Sequence, residues 1–392
     1  MQAGLSKLWG KSPILPPVPG PGIDSPFAKF RAKDTFMIEL SVVLISKNQA
    51  WNIGRLIESV FQATAAIPNK EIILVDSAST DETAELAGSY PISVLRLRPG
   101  PLTPAAGRYI GYTRTQGEFI LFLDGDMELL QGWLEDALRA MRGAPQAGVM
   151  MSSQVIDLLP PAANEKTPPP ERVCTSAPKE VSCVSFVAGG AALYRRSVLE
   201  QVGTFNPHLK SDEEPELCLR IRHAGYRVLL LDYPIVRHYT IAQETISGLL
   251  GRRRRKFLMG VGQCVRYHMG SKLLWPYVRE RGMWSLVAAL WLAAGLGAFL
   301  WFLITGGFIW MGLWTLLLAL LIAGAAWRKR SLRRAILSVF HRLLMVEGLF
   351  RGFLMKPLPP ETYPQNAEII QDFGFEQYIP RTQMGSGRPS PL

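Results

Sequence analysis

The sequence predicts an α/β fold, with a mostly parallel sheet covered by helices on both faces, followed by a two-helix transmembrane hairpin and an interfacial amphipathic helix. Two observations carry this prediction. Residues 37–240 alternate between continuous apolar runs and segments of helical periodicity, which is typical of a parallel sheet with covering helices. Residues 284–327 then run for 44 residues without a charged side chain, and one membrane span needs only ~20 apolar residues.

The individual elements follow from their patterns. Continuous apolar runs, which suit buried strands, predict strands at 38–46, 71–76, 93–97 and 118–123. An amphipathic helix is predicted where apolar residues fall at helical spacing, namely at Ile53, Leu56, Ile57, Val60 and Phe61. Ser79 and Glu82 have the spacing of a capping box, which would begin another helix. Residues 157–182, rich in proline and polar groups, are interpreted as a loop inside the domain.

The uncharged segment divides at Gly306-Gly307 into spans of roughly 284–304 and 308–327. Two spans return the chain to the side on which it began. Basic residues stand at both outer flanks, namely Arg279, Arg281, Arg328, Lys329 and Arg330, and such residues mark the cytoplasmic side. A buried hairpin in a soluble core is disfavoured, because core helices rarely lack a polar face over this length. We therefore predict a multi-pass protein of the inner (plasma) membrane, with the α/β domain in the cytoplasm.

The charge of the chain is concentrated at the predicted membrane edge. The net charge is +11, but residues 251–281 carry +8 and residues 328–356 carry +7, which leaves −4 for the rest. Each Lys or Arg near an anionic leaflet contributes ~1 kcal/mol to membrane attraction. No basic face with interleaved aromatic residues occurs in the first 250 residues, so nucleic-acid binding is not expected.

The remaining segments complete the predicted organisation. Residues 1–36 and 357–392 are Pro-rich and are predicted to be flexible tails, around a domain at 37–250 and a basic juxtamembrane segment at 251–283. The prolines of ILPPVPGPG interrupt the first apolar stretch, so no signal peptide is expected. Residues 328–356 are predicted to be an interfacial helix, because Arg342 and Glu347 would each cost at least ~2.5 kcal/mol at mid-bilayer. The cysteines are Cys174, Cys183, Cys218 and Cys264; without a CxxC pair, they are expected to be reduced thiols.

Acidic residues follow two of the predicted strands. Asp76 ends one strand, and Asp124 with Asp126 flanks a glycine at the end of another. Ligands of open α/β sheets bind beyond the carboxyl ends of the strands. Paired carboxylates there can hold Mg²⁺ or Mn²⁺ beside a diphosphate, although Asp-Gly is also a common turn dipeptide.

The motifs that surround these acids have a joint pattern. LISKNQAWNIGRLIESV, ILVDSASTDET and GRYIGYTRTQGEFILFLDGDM, in this order, resemble the nucleotide-sugar-binding half of family 2 glycosyltransferases of the GT-A fold. FVAGGAALYRRSVLEQVGTF and DEEPELCLRIRHAGYRV resemble the acceptor half of that family. The resemblance covers roughly residues 37–240 and implies a nucleoside-diphosphate sugar as donor and a divalent metal, Mg²⁺ or Mn²⁺, as cofactor.

The resemblance also implies roles for residues on the donor side. It places Ser46 and Asn48 near the nucleotide and gives Asp76 a hydrogen bond to the base ring. Arg108 would approach the donor phosphates. The neighbouring Tyr109 departs from the usual Asn of the family, which leaves the contacts of that position open.

Further residues are implied at the metal. Asp126, together with Asp124 near the sugar or metal, would form the DXD motif. His238 lies where some members of the family have a metal-binding His, although a core or surface role is the alternative for it.

Three acids belong to the acceptor half, Glu213, Glu214 and Glu216. An inverting transfer needs a base that takes the proton of the acceptor hydroxyl. Glu214 occupies the base position of the family, where a Glu here replaces the usual Asp, and Glu213 is its neighbour. Without the other motifs, a solvated acidic start of a helix would be the simpler interpretation.

The segment Gln263-Cys-Val-Arg266-Tyr267 is close to the QxxRW motif of processive polysaccharide synthases, in which the Arg contacts the diphosphate. Tyr in place of Trp makes the match partial. A membrane-surface helix attracted to anionic lipid is the alternative interpretation of this basic stretch.

These observations predict a membrane-anchored, non-processive glycosyltransferase. It would transfer a sugar with inversion to a lipid or lipid-linked glycan acceptor at the cytoplasmic membrane face, in the synthesis of a cell-envelope polysaccharide or glycolipid. Two spans cannot line a pore that shields a hydrated glycan. The alternatives are transfer onto a polyprenyl phosphate, or a catalytically silent membrane scaffold of a glycan-export complex.

Overall fold

The computed structural model of the chain describes residues 38–98, 100–160, 181–240 and 245–374. The predicted tail at 1–36, Cys174, most of the predicted loop at 157–182 and the last 18 residues lie outside the described residues.

The described residues form α-helices and β-strands in alternation. The strands are β1 Leu40–Ser46, β2 Lys70–Asp76, β3 Ser93–Arg96, β4 Phe119–Asp124, β5 Met127–Leu129, β6 Ala147–Ser152, β7 Ile156–Leu158, β8 Val181–Val184, β9 Ala192–Arg195, β10 Arg227–Leu231, β11 Val236–Tyr239 and β12 Glu368–Gln371. The helices are α1 Ile53–Ala63, α2 Thr83–Ala87, α3 Pro104–Thr113, α4 Trp133–Gly143, α5 Arg196–Val202, α6 Glu213–His223, α7 Ile246–Arg254, α8 Gly260–Tyr267, α9 Leu274–Tyr277, α10 Met283–Thr305, α11 Ile309–Lys329 and α12 Leu332–Phe353. A π-helical turn, Val278–Gly282, joins α9 to α10.

The central sheet has nine described strands in the order β12-β3-β2-β1-β4-β9-β6-β10-β8. Strands β3, β2, β1 and β4 are parallel, whereas β9 runs antiparallel to both β4 and β6. A smaller sheet contains β5, β11 and β7. The α/β class is therefore confirmed. The sheet is mixed, and the sequence could not show this, because an apolar run marks a buried strand without revealing its direction.

Apolar residues bury both faces of the sheet, as the continuous runs predicted. All seven residues of β1 are buried. Leu40, Val42 and Leu44 face a core shared with α1, while Val43 and Ile45 face a second core shared with α3. Covering both faces leaves only the strand ends and the loops beyond them open to ligands.

The predicted tail at 357–392 is wrong for its first part. Strand β12 pairs antiparallel with β3 at the edge of the sheet, and Tyr363 is buried edge-on against Tyr109, with ring centroids 6.2 Å apart. Gln365 Nε2 donates to the Tyr109 hydroxyl at 3.2 Å. The strand forms because the edge of β3 carries unpaired backbone groups, with which a short strand can form hydrogen bonds. It was not predicted because four residues among prolines show too little periodicity.

The two long apolar helices are α10 and α11, within two residues of the predicted spans. Gly306 makes the turn in the left-handed region, with φ of 72°. The Trp314 ring stacks on Trp291 and its Nε1 donates to the Trp291 carbonyl at 3.1 Å. Both helices are long and apolar enough to cross a membrane, and their outer side chains are exposed, Leu290 by 71%.

The predicted interfacial helix is present as α12, and it also packs against the α/β domain. Glycines on both sides allow backbones to touch: a Cβ added at Gly348 would lie 2.2 Å from the Leu258 carbonyl oxygen, and one at Gly262 would lie 2.1 Å from that of Leu349. The apolar face predicted for this helix consists of Leu332, Ile336, Val339, Leu343, Val346 and Phe350. Val346 of that face is buried, whereas Ile336 and Phe350 are exposed. Part of the apolar face that the sequence assigns to the membrane surface therefore fixes α12 to α8.

Candidate functional site

Three sequence-predicted site residues stand at the carboxyl ends of adjacent parallel strands. Ser46 of β1 pairs in register with Asp76 of β2, and Ile45 pairs with Asp124 of β4. Because the strands are parallel and in register, these side chains reach the same edge of the sheet.

The nucleotide side of this edge is organised around Asp76, which is fully buried. Its carboxylate accepts hydrogen bonds from the Ser79 backbone N–H at 3.0 Å and from Arg96 Nε at 3.2 Å. Asn48, in the left-handed region with φ of 54°, accepts from the Thr80 N–H at 2.8 Å. Asn48 thus ties the loop after β1 to the loop after β2. Arg96 was missed by sequence reasoning, although it ends β3 at the same sheet edge.

Ser46 lies directly beneath the glycine of the DGD segment. Among the described residues its buried Oγ has no hydrogen-bond partner. A Cβ added at Gly125 would lie 2.8 Å from that oxygen. The glycine between the two aspartates is therefore required by close packing.

Arg108 lies under the site and joins its carboxylates. It is only 2% exposed, and its Nη2 donates to Asp124 Oδ1 at 2.7 Å while Nη1 donates to Glu213 Oε1 at 2.6 Å. Nη2 also lies 3.9 Å from Glu214 Oε1. The predicted contact of Arg108 with donor phosphates does not match this geometry, because converging buried carboxylates need a buried counter-charge.

The electrostatics show how strongly negative the site is. Burial raises the pKa of Asp124 to about 6 and the pKa of Glu213 to about 7, although Arg108 opposes both shifts. Neighbouring carboxylates add to the increase, Asp126 for Asp124 and Glu214 for Glu213. Burial would lower the pKa of Arg108, but the surrounding carboxylates raise it and keep the guanidinium charged. Arg108 is thus shared among three acids, Asp124, Glu213 and Glu214, and a cation bound near them would favour their ionised forms.

Glu214 is held by the backbone of two glycines. The N–H of Gly189 donates to its Oε2 at 2.9 Å, and the N–H of Gly190 donates to its Oε1 at 3.1 Å. Both glycines have positive φ, 123° and 83°, and a Cβ at Gly190 would lie 2.1 Å from Asp124 Oδ2. FVAGGA was recognised in the sequence only as part of the family pattern. The role of its two glycines in binding Glu214 was missed, and the glycine pair was the signal that could have predicted it.

Asp126 and His238 meet at the smaller sheet, where Asp126 directly precedes β5. The Asp126 Oδ2 lies 3.5 Å from His238 Nε2, and His238 Nδ1 lies 2.9 Å from Asp157 Oδ1. Strand β11 places His238 between Met127 of β5 and Asp157 of β7. The hydrogen bond to Asp126 raises the pKa of His238 to about 9, against the effect of burial and with a further increase from Asp157. Asp157 was not among the predicted site residues.

The donor set fits a metal whose coordination is completed by substrate. In the part of the chain that the structure describes, no three His, Cys, Asp or Glu side chains are arranged as a full metal site. Within that part, the buried Asp126 Oδ1 has no hydrogen-bond partner, and Asp124 stands two residues before it. Mg²⁺ is commonly held by one or two carboxylates, with phosphates and water in its remaining positions. The carboxylates of Asp124 and Asp126 fit this mode, whereas His238, whose pKa is raised to about 9, would have to lose its proton before it could bind a metal.

Glu216, the third acid of α6, is an internal ion pair. It is fully buried, its Oε2 lies 2.7 Å from Arg220 Nη2, and its Oε1 lies 3.2 Å from His268 Nε2. Burial alone would raise the pKa of Glu216, but Arg220 and His268 outweigh burial and lower it to about 2. Since Glu213 and Glu214 are only 8% exposed, the interpretation of a solvated acidic helix start is wrong.

The QxxRW-like segment does not join this cluster. Arg266 is exposed, its guanidinium lies 5.6 Å from the centre of the Phe353 ring, and its Nη1 lies 3.2 Å from Met269 Sδ. Gln263 accepts from the Lys210 N–H at 2.9 Å and donates to the His208 carbonyl at 3.1 Å. In this structure the motif supports the loop before α6.

Comparison with known proteins decides the family. Residues 41–203 match the sequence profile described as "Glycosyl transferase family 2". The chain carries a family 2 glycosyltransferase domain. This domain is 28% identical over 211 residues to the pre-mycofactocin glycosyltransferase of Mycobacterium tuberculosis, covering 51% of this chain and 42% of that protein. It is 25% identical over 256 residues to the glycosyltransferase AglE of Haloferax volcanii, covering 64% of this chain and 81% of that protein.

A solved structure extends the likeness of the family 2 domain to its fold. The mannosyltransferase PcManGT of Pyrobaculum calidifontis, in complex with GDP-Man and Mn²⁺, superposes with a TM-score of 0.51 at 16% identity. The alignment covers 82% of this chain and 88% of that one. The GT-A fold is therefore confirmed, while the chain spans only 42% of the Mycobacterium tuberculosis relative.

Proposed function

We propose that this protein is an inverting glycosyltransferase that moves a sugar from a nucleoside-diphosphate sugar to a hydroxyl of a lipid or lipid-linked glycan. The observation that carries the proposal is the placement of Glu214. Its carboxylate is cradled by Gly189 and Gly190 and shares Arg108 with Asp124 of the DXD motif. This placement supports Glu214 as the general base, beside the motif that would hold the donor diphosphate.

The donor half supports binding of a nucleoside diphosphate. Arg96 and Asp76 lie together at the sheet edge; the side chain of Arg96 is 28% exposed and can donate to a base ring, while the buried Asp76 holds Arg96 in place. Asp124, Asp126 and His238 would hold the divalent metal, which when bound stabilises the negative charge of the departing diphosphate. Mn²⁺, present in the Pyrobaculum structure of the same fold, is the first metal to test.

The acceptor half supports attack by a hydroxyl. Glu214 takes the proton as the acceptor oxygen bonds to the anomeric carbon, and the bond from that carbon to the phosphate oxygen breaks on the opposite side. The nucleoside diphosphate leaves with the bonding electron pair. Arg108 remains below and keeps Asp124 and Glu213 in place through both short contacts.

The hairpin supports a membrane-bound acceptor. Helices α10 and α11 expose apolar side chains along their length, and the net charges of +8 and +7 flank them. In a bilayer, the lipid hydrocarbon would cover the apolar side chains, and anionic headgroups would contact the basic segments at the helix ends. The α/β domain would then face the cytoplasm, where nucleotide sugars are made.

The direct test is turnover by the full chain in lipid nanodiscs. Nucleotide sugars are screened with Mn²⁺ and membrane lipids for release of nucleoside diphosphate, after a first ranking by thermal stabilisation. A ligand at 100 times its dissociation constant adds ~2.7 kcal/mol to stability. We expect release that depends on the metal, on one class of donor and on the lipid. Binding of no donor and no release would instead favour the silent scaffold.

The membrane orientation makes a separate prediction. In a background lacking Cys174, Cys183, Cys218 and Cys264, a cysteine introduced at Gly307 should react with an impermeant thiol reagent in intact cells. A cysteine at Ser331, after the second span, should react only after lysis. The Gly307 site is the control for reagent access. Labelling of the Ser331 site in intact cells would contradict a hairpin with both ends in the cytoplasm.

A further inference from the structure

Asp212 stands immediately before the acid pair and is held from the membrane side of the domain. Both its carboxylate oxygens accept from Arg281 Nε at 3.1 Å, and it also accepts from the Tyr277 hydroxyl. Its side chain is 7% exposed. Tyr277 ends α9 and Arg281 lies in the π-helical turn before α10, so both partners belong to the approach to the hairpin.

The backbone of Asp212 is itself unusual. Its φ of 65° lies in the left-handed region, which residues with a side chain rarely adopt, and the contacts with Tyr277 and Arg281 hold its side chain in this conformation. The next residues are Glu213 and Glu214, which begin α6. The conformation of Asp212 therefore sets the direction in which α6 starts and carries the acid pair to Arg108 and to the glycine cradle.

The loop before Asp212 is held by the same part of the chain, which we call the membrane-proximal segment (residues 257–281). Gln263 bonds the backbone of His208 and Lys210. The Ser211 hydroxyl donates to the Phe257 carbonyl, at 2.5 Å. A Cβ at Gly260 would lie 2.2 Å from the Ser211 carbonyl oxygen, so the backbones are in direct contact.

Helix α6 is also joined to this segment along its length. Arg222 Nη2 contacts both carboxylate oxygens of Glu280, at 2.7 and 2.6 Å, and His268 contacts Glu216. A small hydrophobic core unites the loop, α6, the segment and α12, formed by Leu209, Leu219, Val261, Cys264, Tyr277 and Leu349. The helix that carries Glu214 is thus a part of the membrane-proximal structure as well as of the sheet domain.

We propose that Asp212 is a positioning residue for Glu213 and Glu214, and that Tyr277 and Arg281 make the position of the acid pair depend on the seating of the membrane hairpin. The inference rests on the proposed function in that Glu214 is taken as the base. It adds a regulatory contact, because displacement of α10 in the membrane would pull Arg281 away from Asp212. Chemistry at Glu214 would then respond to the state of the hairpin.

The test compares Arg281→Gln, Asp212→Asn and the double variant as full chains in nanodiscs. Arg279→Gln, an exposed arginine of the same turn, is the matched control. We expect each single variant to lower turnover ~10-fold or more, since a misplacement of about 1 Å can cost ~10²-fold, with unchanged donor affinity. The double variant should be no worse than the poorer single, because both changes remove one interaction.

Hydrogen exchange of residues 206–216 gives a readout that needs no activity. Protection of these amides should fall in Arg281→Gln and not in Arg279→Gln, since opening of the contact frees the start of α6. Tyr277→Phe, which removes only a hydroxyl, serves if Arg281→Gln fails to fold. Parental turnover and parental exchange in these variants, additive losses in the double variant, or an equal loss of donor affinity would each overturn the inference.

The proposed function fails in a different way. An inactive parent chain, or a fully active Glu214→Gln, would remove the assigned chemistry while the exchange data still report whether Arg281 holds the start of α6. An active parent with an inactive Glu214→Gln and a fully active Arg281→Gln would keep the function and reject the positioning role.

Discussion

Replacing Glu214 with glutamine is expected to lower turnover by ~10²- to 10⁴-fold, the usual contribution of a general base, with donor affinity nearly unchanged. Glutamine keeps the size of the side chain but cannot take the acceptor's proton. Its amide also cannot accept both of the N–H groups that Gly189 and Gly190 direct at Glu214. The measurement is steady-state turnover together with direct titration of the donor.

Two further variants sharpen this result. Glu200→Gln changes an exposed acid of α5 in the same way and should leave turnover unchanged. Glu214→Asp tests whether the site accepts the shorter acid that the family usually has at this position. Full activity of Glu214→Gln would move the base to Glu213 or favour a polyprenyl-phosphate acceptor, which is already an anion and needs little base assistance.

Replacing Asp126 with alanine is expected to abolish metal-dependent donor binding and transfer. The unpartnered Asp126 Oδ1 is the oxygen best placed for a hard cation. After its loss, Asp124 would be the only carboxylate of the motif left to hold the metal, and one of its oxygens, Oδ1, already accepts from Arg108. Metal titration by calorimetry, with and without nucleoside diphosphate, measures the effect.

The fold should tolerate this change. Asp126 is partly exposed, its backbone carbonyl still accepts from the Tyr239 N–H at 2.8 Å, and Ala keeps that bond. The melting temperature should therefore stay near that of the parent. Asp232→Ala, at an exposed acid outside the site, is the control. Equal metal affinity in Asp126→Ala and the parent would refute the role of Asp126 at the metal.

Among the predicted site residues, Arg108 has contacts in the structure that differ most from those predicted. Arg108 is visible in the sequence as the arginine of GRYIGY, but its contacts depend on Asp124 and Glu213, which are 16 and 105 residues away. The family resemblance assigned it to the donor phosphates by its position in this motif. Burial points to a different role, because the guanidinium is 2% exposed and already contacts three carboxylates, those of Asp124, Glu213 and Glu214.

Local pattern by itself determined the strands β1, β2 and β4, the two apolar helices and the acids at the strand ends. In each case, the signal lies within one short window: a continuous apolar run, 44 uncharged residues, or an Asp that ends a strand. The hydrophobic pattern that marks each element depends on neighbouring residues alone, so one sequence is enough to predict these elements.

Only the tertiary structure decided the direction of β9, the addition of β12 to the sheet, the glycine cradle of Glu214 and the hold of Arg281 on Asp212. Each of these depends on groups that are far apart in the chain: Gly189 and Glu214 are 25 residues apart, and Asp212 and Arg281 are 69 apart. Pairing of distant backbone and charged groups is set by how the layers pack. A local sequence pattern cannot predict this pairing, because the same residues would form hydrogen bonds with water if the packing placed them at the surface.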